Sequence, residues 1–94
     1  MRIGGVPEHF NLPWKLAITD NAFAETGLDV EFIDYPGGTG AMTAALRDHD
    51  LEAAIVLTEG AVLDILNGSD NRLVSIYVES PLVWGIHVTA AGPV

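Results

Sequence analysis

Along this chain, short apolar runs alternate with stretches whose apolar residues recur at helical spacing. Ile3 to Val6 reads as a strand ending at Pro7. His9-Phe10-Asn11-Leu12 follows, then Pro13, which suits the first turn of a helix because its missing N–H costs nothing there. Trp14, Ala17, Ile18 and Ala22 fall on one helical face. Gly27 is placed to end that helix in a left-handed cap. From Leu28 to Tyr35 the pattern alternates, with Leu28, Val30 and Phe32 to one side and Asp29 and Glu31 to the other, as in a strand near a sheet edge. A loop, Pro36-Gly37-Gly38-Thr39-Gly40, comes next. Met42, Ala45 and Leu46 then mark a short helix ending near His49. Ala53 to Leu57 is apolar without alternation, the signature of a central strand covered on both faces. Thr58 is placed to cap the next helix, with Glu59 in its first turn. Val62, Ile65 and Leu66 form that helix's inward stripe, and Asn67-Gly68 closes it. Leu73 to Val78 reads as a fourth strand, and Trp84, Ile86 and Val88 alternate as a candidate fifth beyond Ser80-Pro81.

Strands alternating with helices predict a parallel sheet joined by right-handed crossovers. The expected class is α/β, a three-layer sandwich with a mostly parallel sheet, forming a single lobe over residues 1–94. A chain of 94 residues suits one domain, and one this size hides roughly 60–68% of its unfolded surface. Hydrophobic residues at 49% and charged residues at 18% describe a globular mixture rather than a disordered one.

Charge then narrows the partners. Thirteen acids against four bases leave a formal net charge of −9. Nucleic-acid affinity comes mostly from Lys and Arg displacing counterions, so this surface repels phosphate backbones, and it disfavours anionic membranes too. No cysteine is present, which removes disulfides, thiolate chemistry and cysteine-based zinc sites. No basic segment followed by an apolar one opens the chain as a signal peptide would, and apolar runs such as Ala53 to Leu57 are too short to span a bilayer. The sequence as it stands is therefore expected in the cytoplasm without membrane insertion; removal of a leader would place it in the periplasm or outside the cell.

In open parallel sheets, ligands bind beyond the carboxyl ends of the strands, at a switch point in strand order. That rule selects the loops Pro7 to Pro13, Pro36 to Thr43, Thr58 to Gly60 and Glu79 to Trp84. In the second loop, Gly37, Gly38, Thr39 and Gly40 let a ligand approach the backbone, and the helix starting there offers free N–H groups to a carboxylate, sulfonate or phosphate. Thr39 and Thr43 add hydroxyls. It is not a Walker loop, since no Gly-Lys-Ser/Thr follows, and Thr43 occupies the third glycine position of a dinucleotide fingerprint. The competing reading is a tight strand-to-helix turn. His9, Phe10 and Asn11 offer an imidazole and aromatic wall, or acid–base chemistry; alternatively His9 is simply solvated, while Phe10 and Trp14 pack in the core. Thr58 and Glu59 could meet a ligand or merely cap their helix. His49, in Asp48-His49-Asp50, reads as a solvated turn, and His87 has no evident partner, so no metal site is expected. Ser69, Ser75 and Ser80 lack the Gly-x-Ser-x-Gly elbow of a nucleophile.

Several segments together resemble a known family. Ile3-Gly4-Gly5-Val6-Pro7-Glu8-His9-Phe10-Asn11-Leu12-Pro13-Trp14 looks like the opening of a type 2 periplasmic-binding-protein fold. Gly27-Leu28-Asp29-Val30-Glu31-Phe32 resembles its second strand, Gly37-Gly38-Thr39-Gly40 its glycine-rich loop, and Leu46 to Ala54 its turn into the third strand. The branch resembled contains aliphatic-sulfonate-binding proteins and fungal thiamine-pyrimidine synthases. His49 stands where that family usually has glycine, and Glu52 where it often has Asp. Family members bind ligand between two lobes, whereas this chain covers the first lobe's opening strands, so Val94 is expected to be a truncation point, or the missing half comes from another chain, as in a homodimer.

The resemblance implies a small-molecule binding module akin to an ABC-transporter substrate-binding protein, without catalytic residues or cofactor. The ligand would be small and polar or anionic, held by the backbone at Gly38 and Thr39 and the hydroxyl of Thr58, with His9, Phe10 and Ser80 lining the cleft. An enzymatic alternative is a thiamine-pyrimidine-synthase-like protein using pyridoxal phosphate, for which Lys15 would have to form the Schiff base. A third reading is a self-associating fragment that binds nothing.

Overall fold

A computed structural model of the chain describes residues 1–92. Its elements are β1 (Arg2–Gly5), α1 (Leu12–Thr19), β2 (Glu31–Asp34), α2 (Gly38–Arg47), β3 (Ala53–Ala54) and α3 (Thr58–Leu66). Short 3-10 turns at His9–Asn11 and Ala24–Thr26 flank α1. The strands form one parallel sheet in the order β2-β1-β3. Register pairs Ile3 with Phe32 on one side and with Ala53 on the other.

This order requires the chain to step from β1 one way and then return past it to β3. With right-handed crossovers, the two connecting helices must lie on opposite faces. Alternation along β1 agrees. A Cβ at Gly4 would collide with Leu51 and sit 3.2 Å from Tyr35, while one at Gly5 would sit 2.5 Å from Phe32 and 2.7 Å from Asn11. Gly4 therefore faces the α2 layer and Gly5 the α1 layer. The lobe is an α/β sandwich with helices on both faces of a parallel sheet.

On the α2 face, buried Met42, Ala45 and Leu51 gather Val6, Ile33, Tyr35, Leu46, Ala54 and Val56. On the α1 face the packing is aromatic. Trp14 stacks on Phe23 with ring centroids 5.8 Å apart, and lies 6.4 Å from Phe32 and 6.0 Å from Tyr77. Trp14 is thus a packing residue, half-buried, as its core reading expected.

Among the described residues, three ion pairs tie the elements together. Lys15 meets Asp34 at 3.0 Å, joining α1 to the end of β2. Arg47 on α2 meets Asp64 on α3. Arg2 grips Glu52, with Nη2 to Oε1 at 2.6 Å and the Arg2 backbone N–H also donating to the carboxylate. Arg2 holds the Glu52 carboxyl at about 2, against an ordinary 4.5, through its side-chain hydrogen bond first and its backbone N–H second. Nη2 of Arg2 also donates to the His49 carbonyl at 2.9 Å.

Several expectations need correction. The first helix ends at Thr19, and Asn21 turns left-handed at φ 57°. Gly27 does adopt the left-handed cap, at φ 77°, but it caps the 3-10 turn at Ala24–Thr26. The glycine-rich stretch is not a free loop before a helix, because α2 begins at Gly38 itself. Ala53 to Val56 is half-buried, Leu57 is exposed, and the run borders the sheet; β1 is the central strand. On α3, Ala61 is buried while Val62, Leu63 and Leu66 face outward. Leu73 to Val78 and the Trp84 to Val88 stretch form no strands, and Val74, Val83 and Ile86 are more than 90% exposed. Alternation makes a segment fit for a strand, but a strand exists only where a neighbour takes its backbone groups, and neither segment has one. The expected boundary at Val94 lies outside the described residues. No helix among them is long and apolar enough to cross a membrane.

Candidate functional site

At the carboxyl ends of the strands, three connections meet: Val6–Asn11 after β1, Tyr35–Gly37 after β2 and Ile55–Leu57 after β3. The chain reverses its direction across the sheet between β1 and β3, so this end is the switch point where such sheets bind ligands.

The second and third connections are fastened together. Thr39 Oγ1 accepts a hydrogen bond from the Leu57 backbone N–H at 3.1 Å. A Cβ on Gly60 would lie 2.5 Å from Thr39 Cγ2, so only glycine lets α3 approach this closely. The first turns of α2 and α3 therefore sit side by side. Gly38 N–H is taken by the Tyr35 carbonyl at 3.1 Å. The N–H groups of Thr39 and Gly40, and of Thr58 and Glu59, lie in first turns that have no intrahelical acceptor. Two positive helix ends thus converge on one place, a geometry that favours a negatively charged or strongly accepting group.

The expected site residues divide as follows. Gly37, Gly38, Thr39 and Gly40 come together with Thr58 and Glu59. Thr58 makes no cap: the cap position belongs to Leu57, no side-chain cap bond forms, and the Thr58 hydroxyl is exposed beside Glu59. Thr43, expected to add a hydroxyl, spends it on the Gly40 carbonyl at 3.1 Å and is buried. His9 is exposed and meets Phe10 edge-on at 5.7 Å. Asn11 is not a surface wall. It is 1% exposed, its Nδ2 donates to the Val6 carbonyl at 2.9 Å, and its Oδ1 has no partner. Asn11 thus braces the β1–α1 connection from within. Ser80 is exposed, and no hydrogen bond among the described residues ties it to the three connections.

Two contacts escaped the sequence reading. Tyr77 Oη donates to the Phe10 carbonyl at 2.6 Å, pinning the segment after α3 against the first connection. The Thr39 to Leu57 bond links residues eighteen apart. Neither leaves a local signal, because each depends on where the sheet places distant turns. The surface around the three connections is an open rim. Two shallow grooves lie elsewhere, one between α1 and β2 beside Lys15 and Phe32, the other at the opposite strand ends beside Arg2 and Asn71. No three His, Cys, Asp or Glu side chains among the described residues are grouped to hold a metal.

No family model matches the chain, and no curated protein matches it. A solved structure does. It is the Candida albicans CA3427 gene product, described as defining a new family of proteins exhibiting the generic periplasmic binding protein structural fold. The TM-score is 0.70 at 31% sequence identity, over 76% of this chain and 23% of that one. The fold here is that of a periplasmic binding protein. The chain spans under a quarter of its solved neighbour's length.

Proposed function

We propose that this chain supplies one wall of a cleft that binds a small polar or anionic molecule. The observation that carries the reading is the Thr39 to Leu57 hydrogen bond, which sets the N-termini of α2 and α3 side by side at the switch point. Free N–H groups at fixed positions recognise an anion without a counter-charge on a side chain. The net charge of −9 does not oppose this, because charges beyond a Debye length of about 8 Å are screened while the N–H dipoles act at contact. Glu8 and Glu59 are exposed acids near the rim and favour a ligand that also carries an amine or amide donor.

The reading is of a binding protein rather than an enzyme. Pyridoxal phosphate would need a free lysine, and Lys15 Nζ is committed to Asp34 at 3.0 Å above the Phe32 ring. The residues present therefore do not fit that cofactor. Within the resembled branch, the converging helix ends favour the aliphatic-sulfonate side. The assembled cleft would hand its ligand to an ABC transporter, and nucleic acid is not a partner of so acidic a surface.

The test is a two-dimensional amide NMR titration of the chain with methanesulfonate, with neutral dimethyl sulfone as control. Amides of Thr39, Gly40, Thr58 and Glu59 are expected to shift at millimolar methanesulfonate and to ignore the sulfone. A half-cleft leaves its ligand partly exposed, so affinity should be weak. Unmoved amides at these positions, or equal shifts with both compounds, would overturn the proposal.

A further inference from the structure

Two features of the chain are unpartnered, and each is what the other lacks. The sheet stops at β3, and no strand among the described residues pairs with its far side. Beyond α3, Leu73 to Val78 is rich in β-branched and aromatic residues, carries no charge, and forms no strand. Pro81 ends it three residues on. In its own copy this run is held out of the sheet plane, because Tyr77 packs on Trp14 of α1 and bonds the Phe10 carbonyl.

Charge selects both the edge and the occupant. The β2 edge carries Glu31 and Asp34, which discourage added strands, whereas no charge lies between Ala53 and Thr58. All four bases, and every acid but Glu79, lie before residue 73. Leu73–Val78 is therefore an uncharged apolar strip on an acidic body. Between Ala53 and Thr58 it can meet the edge of a second such body with no like-charge pair. Val62, Leu63 and Leu66 of α3 are exposed as well.

We propose that Leu73–Val78 of one copy adds as a fourth strand to the free edge of β3 in a second copy, reciprocally, and that Ser80 of each is thereby carried to Thr58 of the other. A strand following the crossover helix α3 runs parallel to β3, and exchange between copies keeps that direction. Laid parallel, Leu73 falls beside Glu52 and Val78 beside Leu57. Glu79 and Ser80 then emerge at the α3 N-terminus. The placement of Ser80 in a ligand site rests on the function proposed above; the strand exchange does not.

The chain has no cysteine, so Ser80→Cys accepts a single nitroxide label. Labelled chain is mixed with 15N-labelled wild-type chain, and paramagnetic broadening is read on the latter. The expected result is a dimer by native mass spectrometry and broadened amides at Leu57, Thr58 and Gly60. Ile76→Pro removes a ladder donor and should give a monomer that keeps the helical part of its far-UV circular dichroism, since Ile76 is 74% exposed and outside every helix. A monomeric wild type, a dimer that survives Ile76→Pro, or broadening confined to other residues would each overturn the exchange. A longer partner polypeptide that covers β3 while this chain alone stays monomeric gives the first of these. Methanesulfonate titration of the Ile76→Pro monomer separates the two proposals, because Thr39 and Gly40 should still respond there whether or not exchange occurs.

Discussion

His49 lies at φ 61°, a left-handed backbone that costs a side chain about 1–2 kcal/mol relative to glycine. Glycine loses more entropy on folding, which offsets about 0.5–1 kcal/mol of that. His49→Gly should therefore stabilise the fold by about 0.5–1 kcal/mol, read as a higher urea midpoint with an unchanged slope. The carbonyl that accepts from Arg2 is retained, so the turn itself survives. No gain would show that the turn relaxes around histidine at no cost. Gly5 makes the opposite case. It adopts ordinary strand geometry, and what demands glycine there is Phe32 and Asn11 pressing on its missing Cβ. Gly5→Ala should destabilise by about 1–3 kcal/mol, as overpacking does, and amide shifts should spread through Asn11 and Phe32. A neutral Gly5→Ala would mean that the Asn11 side chain moves aside freely, and its buried bond to the Val6 carbonyl would lose its importance.

Between elements, the decisive contacts are few and polar. Thr39→Val keeps the shape of the side chain but leaves the Leu57 N–H without its acceptor, a cost of about 1–3 kcal/mol where the group stays dry. The amide of Leu57 should then exchange with solvent faster, and the response to methanesulfonate should fall. The Arg2–Glu52 pair fastens the starts of β1 and β3 and is linked to pH. Because the folded state lowers the Glu52 carboxyl from 4.5 to about 2, its contribution is complete above 4.5 and is lost as pH falls toward 2. The stability gap between wild type and Glu52→Gln should be constant at neutral pH and close over that acid window. A gap that persists at pH 2 would mean that the pair acts through packing instead. Periodicity revealed the strands β1 and β2 and the α2 core of Met42 and Ala45, because these depend on neighbours close in sequence. The α1 helix was legible from Pro13 but not its end, since the left-handed turn at Asn21 leaves the apolar spacing through Ala22 intact. The sheet edge at β3 was misread because an apolar run looks the same whether it is covered on both faces or is waiting to be. The connections after β1, β2 and β3 were legible from the strand pattern, whereas Asn11 gave no sign that it faces inward.

At the scale of the molecule, the packed lobe and the tail behave as different materials. The radius of gyration is 15.9 Å, against about 12 Å for a compact chain of this length. The longest extent is 55 Å against a shortest of 22 Å. The four bases report on this division, since trypsin cuts only after them. Arg2 is bound by Glu52, while Lys15 and Arg47 lie within helices and are ion-paired. Arg72 is exposed and outside every element. Cleavage requires an extended, accessible backbone, so it follows local opening. Trypsin should therefore cut after Arg72 well before any other site, and mass spectrometry should find residues 1–72 persisting as an intact product. Tyr77 anchors the released piece only through Trp14 and the Phe10 carbonyl, so a strand exchanged onto a partner should keep the piece attached where a lone copy lets it go. Early cutting at Lys15 or Arg47 would mean instead that the helices open as readily as the tail, and the lobe would then need a covering surface to be stable at all.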